Sequence, residues 1–264
     1  MRTASPEAAA ADIRAAGISK TFQGQEGDVV ALLDVSLQVR PGEFLSIIGG
    51  SGCGKSTLLR IVAGLERPDA GEVTVADQRV SGPGKDRGIM FQDHRLLPWL
   101  TVERNVAFGL GQLPRREALD LARETLGVVG LAGFEQAYPH QLSGGMAQRA
   151  ALARVLVNKP RVLLLDEPFG ALDALTKIQM QEELLRLWQA ERATVILVTH
   201  DIDEAVFLGD RVAIMASRPG TIRRFVPVDL PRPRDRSSAD FVRIRKSLFG
   251  EFFKVSDANR EYEI

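Results

Sequence analysis

Along residues 29–39 the apolar positions Leu33, Val35, Leu37 and Val39 alternate with polar neighbours. That is the period of a half-buried strand. Pro41-Gly42 then makes a turn. The run EFLSIIG is short and mostly apolar, which predicts a strand buried on both faces. It passes directly into a glycine-rich loop that starts at Gly49, and KSTLLRIVAGLE after it predicts a helix. GEVTVAD and RGIMFQD predict further strands.

From about Leu100 to Lys159 the texture changes. REALDLARETLGVVGL and GMAQRAALARVLVNK are rich in Ala, Leu and Arg and carry a helical period. Beyond them, RVLLLDEP predicts a buried strand and DALTKIQMQEELLRLWQAE a long amphipathic helix. TVILVTHD and RVAIMAS predict two more buried strands. Buried strands alternating with helices imply an α/β fold with a largely parallel sheet. The helical block, about residues 93–159, is an insertion into a domain spanning residues 13–230. Residues 1–12 are expected to form a loose tail. Residues 231–264 hold a proline-rich linker and a terminal amphipathic helix.

Composition narrows the function classes. Lys plus Arg and Asp plus Glu balance at 34 each, which argues against a dedicated nucleic-acid binder. The single cysteine, Cys53, excludes an internal disulfide framework and a multi-cysteine zinc cluster. No apolar run approaches the roughly 18 residues of a membrane span. The opening MRTASPEAAAADIRAAG lacks the apolar core of a signal peptide. Any membrane connection is expected to come through a partner.

Ligands of parallel α/β sheets bind beyond the carboxyl ends of strands, and the chemistry-bearing residues fall at such ends or in the insertion. Gly49 to Ser56 fits G-x-x-x-x-G-K-[ST] between a predicted strand and a predicted helix. Its backbone N–H groups would curl around phosphate oxygens, Lys55 would reach the β and γ phosphates, and Ser56 would take Mg²⁺. Two adjacent carboxylates close RVLLLDEP. Asp166 would hold Mg²⁺ through water, and Glu167 would act on the attacking water. The competing reading is a helix N-cap acid beside Pro168. His200 closes TVILVTH, where a hydrogen bond to a γ-phosphate would sense its loss. Gln92, after RGIMF, would touch the metal ion or the attacking water. The run Leu96-Leu97-Pro98-Trp99-Leu100 is apolar for a surface loop, which leaves two readings, a core of the helical block or a docking surface. His94 and His140 are assigned no chemistry. HQLSGGMAQRAALAR, from His140, places a serine and two glycines at a helix start, a second anion-binding arrangement.

The glycine loop, Gln92, LSGGM, LLLDEP, GALD and VTHD stand in the order and spacing of ATP-binding-cassette (ABC) ATPases, over about residues 17–220. The resemblance implies a RecA-like P-loop core, a small antiparallel β subdomain and an inserted helical subdomain that carries LSGGM. It implies ATP and Mg²⁺, held by Gly49, Gly50, Ser51, Gly52, Cys53, Gly54, Lys55, Ser56 and Thr57, with Phe22 stacked on adenine. It also implies a head-to-tail homodimer in which Ser143, Gly144 and Gly145 close the ATP of the other copy. Asp173 in GALDA would lie near the two-fold axis.

FQDHRLLPWLTVERNV, PFGALDALTKIQMQEELLRLW, THDIDEAVFLGDRV and SRPG…VDLPRPRDR resemble the ATPase subunits of nitrate, sulfonate and taurine importers, and those of aliphatic-sulfonate importers most. This implies a peripheral protein at the cytoplasmic face of the inner membrane. It also implies permease subunits docking near Gln92–Leu100 and, indirectly, an extracytoplasmic binding protein. Nitrate, taurine or a pyrimidine precursor is the alternative cargo. A soluble cassette working on nucleic acid or the ribosome fits less well, because only about 100 residues separate Lys55 from Asp166 and there is one cassette. A P-loop metabolite kinase leaves LSGGM and the Asp166-Glu167 pair unexplained.

Overall fold

The computed structural model describes residues 10–24, 27–217 and 219–260, the last eight as helical backbone. It divides into two compact units, residues 10–84 with 194–264, and residues 85–193. The chain begins with β1 (Ile13–Phe22), β2 (Val29–Val39), β3 (Phe44–Gly49), α1 (Lys55–Val62), β4 (Ala70–Val75) and β5 (Gln78–Arg79). The middle holds β6 (Arg87–Met90), α2 (Val102–Ala107), α3 (Arg115–Val128), α4 (Gly144–Leu156), β7 (Val162–Asp166) and α5 (Ala174–Glu191). Then follow β8 (Thr194–Thr199), α6 (Ile202–Leu208), β9 (Arg211–Ala216), β10 (Thr221–Pro227) and α7 (Ala239–Arg260).

In the first unit β3 runs parallel to both β8 and β9, and β10 closes the edge antiparallel to β9. Every residue of β3 and β8 is buried, as expected of a central parallel strand covered on both faces. Burying Phe44, Leu45, Ile47 and Ile48 contributes about 1.5–3 kcal/mol each. The chain then turns at Gly49, where an added Cβ would lie 2.5 Å from Cys53 Sγ and 2.9 Å from the Met215 carbonyl. Only glycine allows so close an approach, and the strand therefore empties directly into the loop.

The same unit holds an antiparallel sheet in the order β2-β1-β4-β5. Its pairing corrects one expectation. Leu33 is 48% exposed, and Leu32 takes its place in the core beside Val35, Leu37 and Val39. Ile18 pairs with Val35 and Lys20 with Leu32, so β2 carries one extra residue there, and Asp34 turns to φ 49°. This bulge flips the alternation by one position.

In the second unit β6 and β7 are parallel, and all five residues of β7 are buried. Gly88 of β6 has no room for a Cβ, which would meet Val155 Cγ1 of α4 at 2.5 Å. Helices α2, α3 and α4 pack together, with α4 burying Ala147, Ala150, Ala151, Leu152, Ala153 and Val155. They fall within the span expected for the helical insertion. Of the expected tail, residues 1–9 lie outside the described residues. Ala11 is buried, and its carbonyl accepts a 2.6 Å hydrogen bond from Thr194 Oγ1.

Candidate functional site

Within the first unit, Gly49 to Ser56 forms a loop capped onto α1. Gly52 and Gly54 take φ of 73° and 90°, and a Cβ on Gly54 would strike the Ala31 carbonyl at 2.6 Å. Gly54 is the N-cap of α1, so the helix opens with its first amides uncovered by any side chain. Such a start favours an anion. Lys55 is buried, and its Nζ donates to the carbonyls of Gly49 at 2.8 Å and Gly50 at 2.9 Å. Cys53 is wholly buried, with its sulfur 3.6 Å from that ammonium. Ser51 and Gly52 are exposed at the tip, while Ser56 and Thr57 are half-buried on the first turn of α1. Phe22 ends β1 and is 40% exposed, with Lys20 Nζ 5.4 Å from its ring centre. It is therefore not a core residue. His200 is exposed on the residue after β8, and the next residue, Asp201, caps α6 by accepting from the Glu204 amide at 3.1 Å.

Within the second unit, Asp166 ends β7 and is buried. Glu167 follows at φ 49°, a left-handed conformation that costs a non-glycine residue about 1–2 kcal/mol. No helix starts there, which removes the N-cap reading of this pair. Gln148 of α4 fixes the turn. Its Nε2 donates to the Glu167 carbonyl and its Oε1 accepts from the Ala171 amide, both at 2.9 Å. Gln148 has no role in any of the motifs described above. Its signal is a glutamine sharing a helical stripe with Ala151, Leu152 and Val155.

Ser143 is the N-cap of α4, its Oγ accepting from the Met146 amide at 3.3 Å. Gly144 opens the helix, and Gly145 packs against the following loop, where an added Cβ would meet Leu172 Cδ2 at 3.1 Å and the Ala171 carbonyl at 3.3 Å. Asp173 caps α5 through the Thr176 amide at 3.0 Å. Hydrogen bonding by the Thr176 hydroxyl, and then by its amide, holds its carboxyl below the usual carboxylate range. Ser143 to Met146, Leu172 and Asp173 line one open depression of about 310 Å³.

Gln92 is exposed two residues beyond the end of β6, not on the strand. The apolar loop after it is divided between the two readings. Leu96 is buried, whereas Trp99 is 69% exposed. Buried Asn105 of α2 holds the loop's shape. Its Oδ1 accepts from the Leu97 amide at 2.7 Å, and its Nδ2 donates to the carbonyls of Leu97, Leu100 and Thr101, each at 3.1 Å. Arg154 of α4 adds bonds to the carbonyls of Arg95 at 2.7 Å and His94 at 3.0 Å. Burial pushes the pKa of Arg154 down from its usual value. His140 stacks on Tyr138, with ring centres 5.9 Å apart.

Comparison with known proteins decides the family. Residues 32–170 match the family described as ABC transporter. The chain belongs to the ABC transporter family. The aliphatic sulfonates import ATP-binding protein SsuB of Bacillus cereus is 48% identical over 235 residues, covering 89% of this chain and 93% of that protein. The nitrate import ATP-binding protein NrtD of Synechocystis is 48% identical over 242 residues, covering 91% of this chain and 90% of that protein. A solved dimeric structure of an ATP-binding cassette in a post-hydrolysis state, bound to ADP and Pi, superposes with a TM-score of 0.76. It is 34% identical and covers 83% of this chain and all of that one. The two units are the ABC ATPase fold, with a RecA-like P-loop core, an antiparallel β subdomain and an inserted helical subdomain. The cassette binds and hydrolyses ATP as the nucleotide-binding subunit of an importer.

Proposed function

We propose that this ABC cassette energises the import of aliphatic sulfonates, working at the cytoplasmic face of the membrane as a head-to-tail dimer beneath a permease. The observation that carries the dimer is the depression at the start of α4. Ser143, Gly145 and Asp173 share one open face built entirely within the second unit. A helix start of this kind suits a phosphate presented from outside, here the γ-phosphate of ATP on another copy. Among the described residues no helix is long and apolar enough to cross a membrane, which suits a subunit held there by a partner.

The roles follow from chemistry. The amides from Gly50 to Thr57 and the Lys55 ammonium neutralise the phosphates, and Phe22 offers its ring face to adenine. Glu167 orients and deprotonates the attacking water, and His200 hydrogen-bonds the γ-phosphate. Ser56, Gln92 and, through water, Asp166 are the residues that would hold Mg²⁺, and the ion would supply positive charge to neutralise the phosphates. These hard oxygen donors fit Mg²⁺, which binds a few protein oxygens together with substrate phosphates. The exposed Trp99 and the loop held by Asn105 receive the permease.

Equal identity to NrtD makes nitrate the second reading. Growth tests separate them. A strain lacking this subunit is expected to fail on an alkanesulfonate as sole sulfur source and to grow normally on nitrate as sole nitrogen source. Complementation by the wild-type chain, and not by Glu167→Gln, ties the defect to ATP hydrolysis. Loss of growth on nitrate alone would overturn the sulfonate reading.

A further inference from the structure

The segment after β10 ends in an alternation of proline and arginine, PRPRDR, with arginine at 232, 234 and 236. The three side chains converge on α6, the helix that begins two residues after His200. α6 has only seven residues, too few to be stable alone. A helix leaves its last carbonyls without partners inside the helix. Here they are met by the linker. Arg234 Nη1 donates to the carbonyls of Val206 at 2.6 Å, Phe207 at 3.2 Å and Gly209 at 2.6 Å. Arg232 Nη2 donates to the Leu208 carbonyl at 2.6 Å.

The rest of the linker reinforces this end. Arg234 is 6% exposed and also donates to the Val228 carbonyl at 3.1 Å. Burial lowers its pKa to about 10, so it remains a cation at neutral pH, the favourable charge at a helix C-terminus. The Arg236 guanidinium lies 3.6 Å from the centre of the Phe207 ring. At the opposite end of α6, Arg245 of α7 pairs with Asp203 at 3.1 Å. The strand end, His200, the Asp201 cap and α6 thus form one short lever, gripped at its far end by Arg232 and Arg234 and at its near end by Arg245.

We propose that Arg234, with Arg232, is a positioning residue for His200, acting through α6. This rests on the role given to His200 above. The C-terminal extension is thereby part of the machinery that responds to the γ-phosphate. Its arginines touch no nucleotide; they fix the frame on which the histidine is carried.

The test compares purified Arg234→Ala, Arg234→Lys, His200→Ala and the double variant R234A/H200A. Arg243→Ala serves as control, since that side chain pairs within α7 with Asp240. In R234A, kcat for ATP is expected to fall about tenfold or more while KM stays within about twofold, the split that marks a loss confined to the reacting state. R234K keeps the charge without the planar fork and is expected to recover part of the loss. Amide exchange over residues 201–209 is expected to rise at least tenfold in R234A and not in R243A. In the H200A background, adding R234A is expected to change kcat by less than about twofold, because the two act as one unit.

A variant R234A that melts earlier yet keeps its kcat would overturn the proposal, as would losses in R234A and H200A that multiply. Full activity of H200A would instead refute the role of His200. Unchanged exchange over 201–209 would refute the cap itself. If R234A does not fold, Arg232→Ala, which removes the bond to the Leu208 carbonyl at the same helix end, carries the same measurements with an expected loss of about threefold.

Discussion

Gln148→Ala tests whether the geometry of Glu167, proposed above to act on the attacking water, is held from α4. The substitution removes both hydrogen bonds of a side chain that is 4% exposed. The Glu167 carbonyl then loses its side-chain donor but keeps the Gly170 amide at 3.2 Å, a net loss of about 0.5–1.5 kcal/mol. Ala171 is an exposed residue, so its amide can regain water and the lost bond adds less. The left-handed Glu167 carries about 1–2 kcal/mol of strain, which the turn bears only while it is tied at both ends. The two lost bonds give about 1–2 kcal/mol of destabilisation, against which any strain released by the relaxing turn counts, or roughly 2–8 °C in Tm for a chain of this size. Relaxation of φ at Glu167 swings its carboxylate away from the direction set by β7. The kcat measured below the melting range is therefore expected to fall by about tenfold or more, with ATP binding retained. Gln148→Glu keeps the acceptor for Ala171 but sets an anion against the Glu167 carbonyl, and is expected to be no better than alanine. Thermal denaturation with ATPase assays on the same samples gives both numbers. A variant Q148A that melts like the wild type, or melts early with an unchanged kcat, would refute the reasoning.

Two further outcomes concern the dimer and the docking loop. Glu167→Gln is expected to bind ATP, stop turnover and elute as a dimer in size-exclusion chromatography, while Ser143→Arg, which fills the depression beside Gly145, binds ATP yet neither dimerises nor hydrolyses it; a monomeric E167Q with ATP, or an active S143R, would count against the closed sandwich. Trp99→Asp is expected to keep basal ATPase activity and lose co-purification with the permease, since Trp99 is exposed and contributes nothing to the loop's internal bonds; survival of the complex would move the docking surface elsewhere.

The phosphate loop, the Asp166-Glu167 pair and the LSGGM helix start were legible because each is a local pattern, with chemistry and backbone demand packed into a few neighbouring residues. The parallel strands were legible for the same reason, since burial on both faces leaves an unbroken apolar run. Residues that act at a distance were not. Gln148, Asn105 and Arg234 spend their polar atoms on backbone groups 4 to 28 positions away, and a polar side chain in a helix or linker looks the same in sequence whether it faces water or a carbonyl. Leu33 was misplaced because a bulge depends on pairing with another strand, which one strand's alternation does not record. The short elements α6 and β10 gave too few periods to be distinguished from loop.

Asn105 has a consequence for how this protein can change. The outline of the loop from Leu97 to Thr101 is drawn by main-chain atoms bonded to one buried side chain, so it does not depend on what Pro98 and Trp99 display outward. Substitutions at those tips alter whom the loop fits without altering how it is folded. With the permease docked as proposed, a lineage can exchange one permease for another by a few surface replacements, while the ATPase beneath stays as it was.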